Sequence, residues 1–233
     1  MSQTQFAQFQ KSMQDDSLRP YRAWLQKHRV GLFLKRAFDI FGALLMIVIL
    51  SPFFLLSAAL VKMTRGPVFY RQLRVGRDGK ELCIIKFRTM VVGADKNGTL
   101  TVGGDSRVTG IGRLLRTTNF DEAPQLFSVL FGSMSIVGVR PEVPQYVAQY
   151  KPEDFATLLL KPGLTSPVAI KYRHESALLE GCENPEKKYI EELLPAKMAL
   201  NRAYIADFSF LNDLRIIGRT FKCFFEKDEL IKK

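Results

Sequence analysis

Cysteine, histidine and nucleotide-loop motifs are all scarce in this 233-residue chain, and each scarcity removes a class of chemistry. The three cysteines, Cys83, Cys182 and Cys223, are far apart and odd in number. They offer neither a metal-ligand cluster nor a disulfide framework, and they point to a reducing compartment. His28 and His174 are too distant in sequence to suggest a histidine metal site, and nothing supports a serine-type triad. The glycines from Gly103-Gly104 to Gly110-x-Gly112 lack the Gly-Lys-Ser/Thr of a phosphate loop and miss the dinucleotide fingerprint, so they read as a mobile loop. There is no internal repeat and no low-complexity tract. Acidic residues are outnumbered 23 to 34 by Lys and Arg, for a net charge of +11. That excess calls for anionic partners: lipid headgroups, nucleotides or nucleic acid.

What the chain does have is one apolar run of about 22 residues, Ile40 to Val61, long enough to cross a bilayer as a helix. It starts too late and lasts too long for a signal peptide. Arg29, Lys35 and Arg36 precede it, and Lys62, Arg65, Arg71, Arg74 and Arg77 follow it. A simple span carries its positive excess on the cytoplasmic side only, whereas here both flanks are basic. Ser51-Pro52 lies at the middle, where proline removes a backbone donor and the serine hydroxyl can satisfy a freed carbonyl. Two readings stay open on these residues: a helix that breaks and returns to the same face, or a single-pass anchor with a tolerated proline. Mean hydropathy is near zero (−0.01) despite the charge, because of this run and 18 phenylalanines.

The length suits one domain plus an anchor. The polar opening, to about Pro20, reads as mobile, and Tyr21 to Arg29 as a membrane-surface lead-in. Pro67 to Gln72 and Leu82 to Arg88 read as strands joined by an Arg77-Asp78-Gly79-Lys80 turn. Gly112 to Arg116 reads as a short basic helix, and a further helix runs from Asn119 to a stop at Gly132. Ser135 to Pro144 reads as a loop, and Pro167 to Arg173 alternates as a strand. Two helices close the chain, one after Pro195 and one over Leu211 to Phe225. In the second, Leu211, Leu214, Ile217, Phe221 and Phe224 share helical spacing, for a core or a lipid interface.

Among residues that can carry chemistry, Asp121 and Glu122 come first. On a helix capped by Asn119 they point about 100° apart, so one faces a substrate while the other supports it. The competing account is a capping box, Asn119-x-x-Glu122. Lys86 and Arg88, two apart on a strand, share a face and suit a diphosphate, or else form the polar face of an exposed strand. A hard cation on carboxylates with phosphate as co-ligand is compatible with this set.

Taken together, the segments KRAFD (Lys35 to Asp39), Ser51-Pro52, GPVFYRQLRVGRDGK (Gly66 to Lys80), KFRTM (Lys86 to Met90), SRVTGIGRLLR (Ser106 to Arg116), DEAPQL (Asp121 to Leu126), VGVRPE (Val137 to Glu142) and KPGLT (Lys161 to Thr165) resemble the monotopic bacterial sugar transferases, or phosphoglycosyl transferases. The resemblance covers nearly everything after about residue 30. It implies an α+β fold with three parts. These are an N-terminal segment (1–30), a re-entrant helix-break-helix anchor (31–64) and a small cytosolic catalytic domain (65–233) with a β-hairpin, short helices and interfacial amphipathic helices. It implies transfer of a sugar 1-phosphate from a nucleotide diphosphate sugar to a polyprenyl phosphate at the cytoplasmic face of the bacterial inner membrane. Asp121 would be the nucleophile and, with the required Mg2+, a metal contact. Glu122 would be its partner, and Lys86, Arg88, Arg116, Arg140, Pro141 and Arg173 would meet the phosphates and substrate. Partners would be membrane lipids and the two substrates, not nucleic acid, and the resemblance leaves room for a homo-oligomer. Two positions depart from the common pattern: Ala123 stands where leucine is usual, and TSPVAIKYR follows Pro162-Gly163-Leu164. The rival reading is a membrane-anchored anion-binding module without chemistry, in which Asp121 and Glu122 are dispensable.

Overall fold

A computed structural model describes residues 3–94 and 105–225. Gly103-Gly104 of the expected glycine loop lies outside them, as does the side chain of Phe224.

The apolar run forms the middle of one long helix, α3 (Arg29–Met63), about 50 Å long. One stripe of it, Lys35, Asp39, Ala43, Ser57 and Val61, is buried against the rest of the protein. The opposite side leaves Phe33, Phe41, Leu45, Val48, Ile49, Leu55 and Met63 more than half exposed. At Ser51-Pro52 the backbone stays helical through both residues. The reason is local. Pro52 cannot donate to Val48 O, and the Ser51 hydroxyl donates to that same carbonyl at 2.8 Å.

The N-terminal residues, expected to be mobile, are packed instead. Two helices, α1 (Gln3–Ser12) and α2 (Arg19–Lys27), flank a short 3-10 turn at Asp16–Leu18. Their Phe6, Phe9, Met13, Leu18 and Leu25 are buried in the main core with Val75 and Phe155. The polar composition concealed a helix-spaced pair, Phe6 and Phe9, whose rings meet edge to face at 5.9 Å.

After α3 the chain forms the expected hairpin, β1 (Phe69–Val75) and β2 (Glu81–Phe87), antiparallel with Phe69 opposite Phe87. Its turn at Arg77–Gly79 lies against α1: a Cβ on Gly79, where φ is +70°, would meet the backbone of Phe9 and Gln10 at 3.0 Å. Chain from before α3 therefore packs directly on chain from after it.

Helix α4 (Gly110–Thr117) is capped by Thr109, whose hydroxyl accepts from Gly112 N–H. The expected helix from Asn119 divides into a 3-10 turn, Phe120–Glu122, and α5 (Gln125–Phe131), which stops at Gly132 (φ +92°) as anticipated. Asn119 is no cap; it takes a left-handed conformation (φ 54°), makes no side-chain cap bond, and so dissolves the capping box. The expected loop after Ser135 begins with β3 (Ser135–Val137), paired in parallel with β4 (Gly163–Thr165). These strands continue into a crossing so close that a Cβ on Gly163 would sit 2.1 Å from Gly138 N, which explains glycine at both places.

The expected strand at Pro167–Arg173 is instead helical, α7 (Pro167–Lys171), after the short α6 (Pro144–Val147). The Ser166 hydroxyl accepts from Ala169 N–H and Pro167 fills the first turn, a start signal that outweighs the alternation. Short helices α8 (Glu175–Leu178) and α9 (Pro185–Lys188) lead to a π-helical turn, Tyr189–Leu193, and α10 (Leu194–Ala206). The last helix, α11 (Phe210–Phe225), buries Asp213 and Ile216 and exposes Leu211 and Phe221. Its apolar stripe is thus mostly turned outward.

Candidate active site

A cavity of about 940 Å3 opens between the hairpin, the residues around Arg140, and α7 to α10. Each catalytic candidate is positioned by a different route. The Phe120–Glu122 turn is fixed by Phe120, whose ring stacks on Phe87 of β2 (6.2 Å, 13°) and packs on Phe53 and Phe54 of α3. Such aromatic pairs contribute about 0.5–1.5 kcal/mol each beyond their buried area. Arg140 follows β3, and its guanidinium forks onto both carboxylate oxygens of Glu122, with Nη1 to Oε2 at 2.9 Å and Nη2 to Oε1 closer still. Lys86 projects from β2 over the Tyr70 ring at 5.7 Å.

The two acidic neighbours are not equivalent. Burial would raise the Glu122 carboxyl, but Arg140, and then Lys86 and Arg74, outweigh it and hold it down to about 2. Asp121 is raised to about 6, first by burial and then by the Glu122 charge, against Lys86, Arg116 and Arg140. Glu122 is on the cavity wall. Asp121 is off the described wall and 7% exposed, and nothing among the described residues donates to its carboxylate. One carboxylate is thus locked in a salt bridge while the other is left unengaged. Lys86 is lowered to about 8, chiefly by burial, and remains largely protonated at neutral pH.

The remaining sequence candidates divide. Arg116 lines the cavity and ties its Nε to the Thr89 hydroxyl at 2.8 Å. Pro141 contributes its carbonyl, which accepts from Arg74 Nη1 at 3.0 Å. Arg173 reaches the wall on the segment after α7, where Nη1 donates to Cys223 O and Nε to His174. Arg88 touches the wall, but its Nη groups are occupied at the end of α3. Nη1 donates to Arg65 O, and Nη2 to Thr64 O and the Thr64 hydroxyl. Its geometry is that of a helix cap.

Sequence reasoning missed another part of the wall altogether. Lys197 Nζ donates to Glu142 Oε1 (3.0 Å) and to the Tyr189 hydroxyl (2.8 Å), and pairs with Glu175 at 3.0 Å. The Tyr189 hydroxyl donates to Glu142 at 2.7 Å. Only Glu142 lies in a quoted motif; the others join it through the fold, and no local spacing marks them.

Among the described residues no group of three or more His, Cys, Asp or Glu side chains is placed to hold an ion. The unengaged Asp121 carboxylate does fit the other arrangement open to a hard cation. In that arrangement one protein carboxylate shares the ion with phosphate oxygens of a bound ligand and with water.

The family model for bacterial sugar transferases matches residues 30–227. The chain is 38% identical over 205 residues to a UDP-glucose:undecaprenyl-phosphate glucose-1-phosphate transferase of Klebsiella pneumoniae. That match covers 85% of this chain and 42% of the relative. A protein of the same name from Escherichia coli (strain K12) matches to the same extent. The chain thus spans about two fifths of the length of these two relatives. The exopolysaccharide production protein PSS of Rhizobium leguminosarum bv. phaseoli is 37% identical over 200 residues, 82% of this chain and 94% of that protein.

The electrostatics predict separated titrations. In metal-free protein, carboxyl 13C shifts should report Asp121 titrating near 6, with Glu122 ionised down to about 2. Arg140→Met removes the main cation opposing burial, so the Glu122 titration should move up. A Glu122 titration unmoved by that substitution would contradict the assignment of its charge to Arg140.

Proposed function

Because the chain belongs to the bacterial sugar transferase family, we propose that it moves a sugar 1-phosphate from a UDP-sugar to undecaprenyl phosphate through a covalent phosphosugar on Asp121. The observation that carries this reading is the inequality of the dyad: Glu122 is held by Arg140, while the Asp121 carboxylate has no described donor. A nucleophile must be free of strong donors, and a supporting group must not wander.

The donor diphosphate enters the cavity against Lys86, Arg116 and Arg140. Asp121 turns its carboxylate toward that cluster, since such contacts close only when substrate is present. One Asp121 oxygen attacks the phosphorus that bears the sugar. The bond from that phosphorus to the bridging oxygen breaks, and UMP leaves with the electron pair. An oxygen of the lipid phosphate then attacks the same phosphorus and releases the Asp121 carboxylate, giving the polyprenyl diphosphate sugar. Arg140 and Lys86 neutralise oxygen charge during both steps, and the Glu122 fork keeps Arg140 in place. Magnesium shared by Asp121 and the donor phosphates would neutralise diphosphate charge.

The second substrate is a lipid, so the site must stand at the membrane. The exposed apolar side of α3 suits burial in one leaflet, with the catalytic domain at headgroup depth. The packing of α1 on the hairpin turn supports both flanks of α3 lying on one side of the bilayer, the cytoplasmic one. A single-pass span would have to pull those surfaces apart.

UMP release from UDP-glucose or another UDP-sugar, with undecaprenyl phosphate in detergent, tests the reaction. Asp121→Asn should reduce release by at least about 1,000-fold while leaving the protein folded and membrane-bound, since no other group replaces the nucleophile. Release near the normal rate in that variant would remove Asp121 from the role.

For topology, single cysteines at Ser17→Cys and Lys80→Cys, in a background without the three native thiols, should resist an impermeant thiol reagent in intact cells. Both should react after lysis. Labelling of either one in intact cells would restore the single-pass anchor.

A further inference from the structure

One turn of α3 reaches both supports of the Glu122–Arg140 pair. Lys35 Nζ donates to Val137 O at 2.6 Å, and Asp39 Oδ1 accepts from the Ser135 hydroxyl at 3.1 Å and from Ile136 N–H at 2.9 Å. Together these bonds engage every residue of β3, the strand that leads into Arg140. Arg36 performs the matching task for the other partner. Its Nη1 and Nη2 donate to Val129 O (2.7 Å) and Leu130 O (2.8 Å), at the end of the helix that follows Glu122. Lys35 also donates to Asp213 Oδ2 on α11 at 2.6 Å, and Asp213 accepts from the Tyr204 hydroxyl.

These charges are in an unexpected place. Basic residues before an apolar run are normally solvated, facing lipid phosphates. Lys35 and Asp39 are 7% and 2% exposed, so burying them is costly unless the surrounding bonds return what hydration gave. The bonds they make are to β3, where a one-residue slip would turn every side chain, and Arg140 with them, to the opposite face.

We propose that Lys35, Arg36 and Asp39 are positioning residues for the transfer, holding β3 and α5 in the register that closes the Arg140 fork on Glu122. The membrane helix is then part of the active-site frame as well as an anchor. This rests on the phosphotransfer reading for its rate consequences but not for its geometry, so the two are separable by experiment.

The test uses the full chain in lipid nanodiscs with UDP-glucose and undecaprenyl phosphate. Arg36→Gln and Asp39→Leu should lower kcat about tenfold or more, with the donor KM within about threefold, because misplacement of a positioned group falls on the chemical step. Asp39→Asn keeps an acceptor oxygen and should retain about half of kcat or more. In an Arg140→Met background, Arg36→Gln should add no more than about a twofold loss, since both act through one fork. A general loss of structure would multiply instead. Independently of turnover, the Arg140 guanidinium should give two resolved Nη signals by 15N NMR, merged in Arg36→Gln. If Asp39→Leu does not fold, Arg36→Gln, a partly exposed side chain, carries the test. A native Arg140 signal in folded Arg36→Gln, or losses that multiply with Arg140→Met, overturns the proposal. If wild-type protein turns over no UDP-sugar, the phosphotransfer reading fails and the Arg140 signal alone decides the positioning role.

Discussion

Glu122, half-buried on the cavity wall, keeps its charge because Arg140 meets it with two parallel hydrogen bonds, and much of the architecture brings these residues together. A partly desolvated carboxylate without such a partner takes up a proton more readily. They are 18 positions apart and reach each other from opposite directions, Glu122 from an aromatic-pinned turn and Arg140 from the end of a parallel strand. With the fork closed, the neighbouring Asp121 stands beside a fixed negative charge and a fixed cation. The division of the dyad into a held member and a free one follows from that asymmetry.

The long helix contributes along its length. Its first turns bind β3 and the end of α5; its later turns supply Phe53 and Phe54 to the ring of Phe120. Its far end is capped by Arg88 from the hairpin strand that also carries Lys86. Among the described residues, the element with the most exposed large apolar side chains is therefore also the one that touches most of the supports of the site. Under the proposed function, lipid contact and catalytic geometry would share one helix, as an acceptor phosphate at the bilayer surface calls for.

Local signals in the sequence were read correctly where structure is local. The hairpin follows from strand patterning and an Asp78-Gly79 turn, α5 ends at Gly132, and α3 has the length its apolar run requires. Where local signals compete, the fold decides between them: at Ser166-Pro167 the cap beats strand alternation, and at Ser51-Pro52 the hydroxyl repairs the gap that proline leaves while the backbone stays helical. A second kind of miss is not local at all. Lys35 and Arg36 look like topological charges until β3 and α5 are folded onto them, and Asn119 looks like a cap until its backbone is seen to be left-handed. Of the site, the dyad and Lys86 were legible as motifs. The Lys197–Glu142–Tyr189 cluster was not, because only the fold brings its members together.

The central claim is that Asp121 carries the phosphosugar between two half-reactions. The most direct measurement is intact-protein mass spectrometry of acid-quenched samples, taken milliseconds to seconds after mixing enzyme, magnesium and UDP-sugar without lipid acceptor. The expected result is a mass increase of one sugar phosphate, located by peptide mapping at Asp121 and discharged on adding undecaprenyl phosphate. UMP formation only when both substrates are present, with no adduct at any time, would contradict it and favour direct displacement.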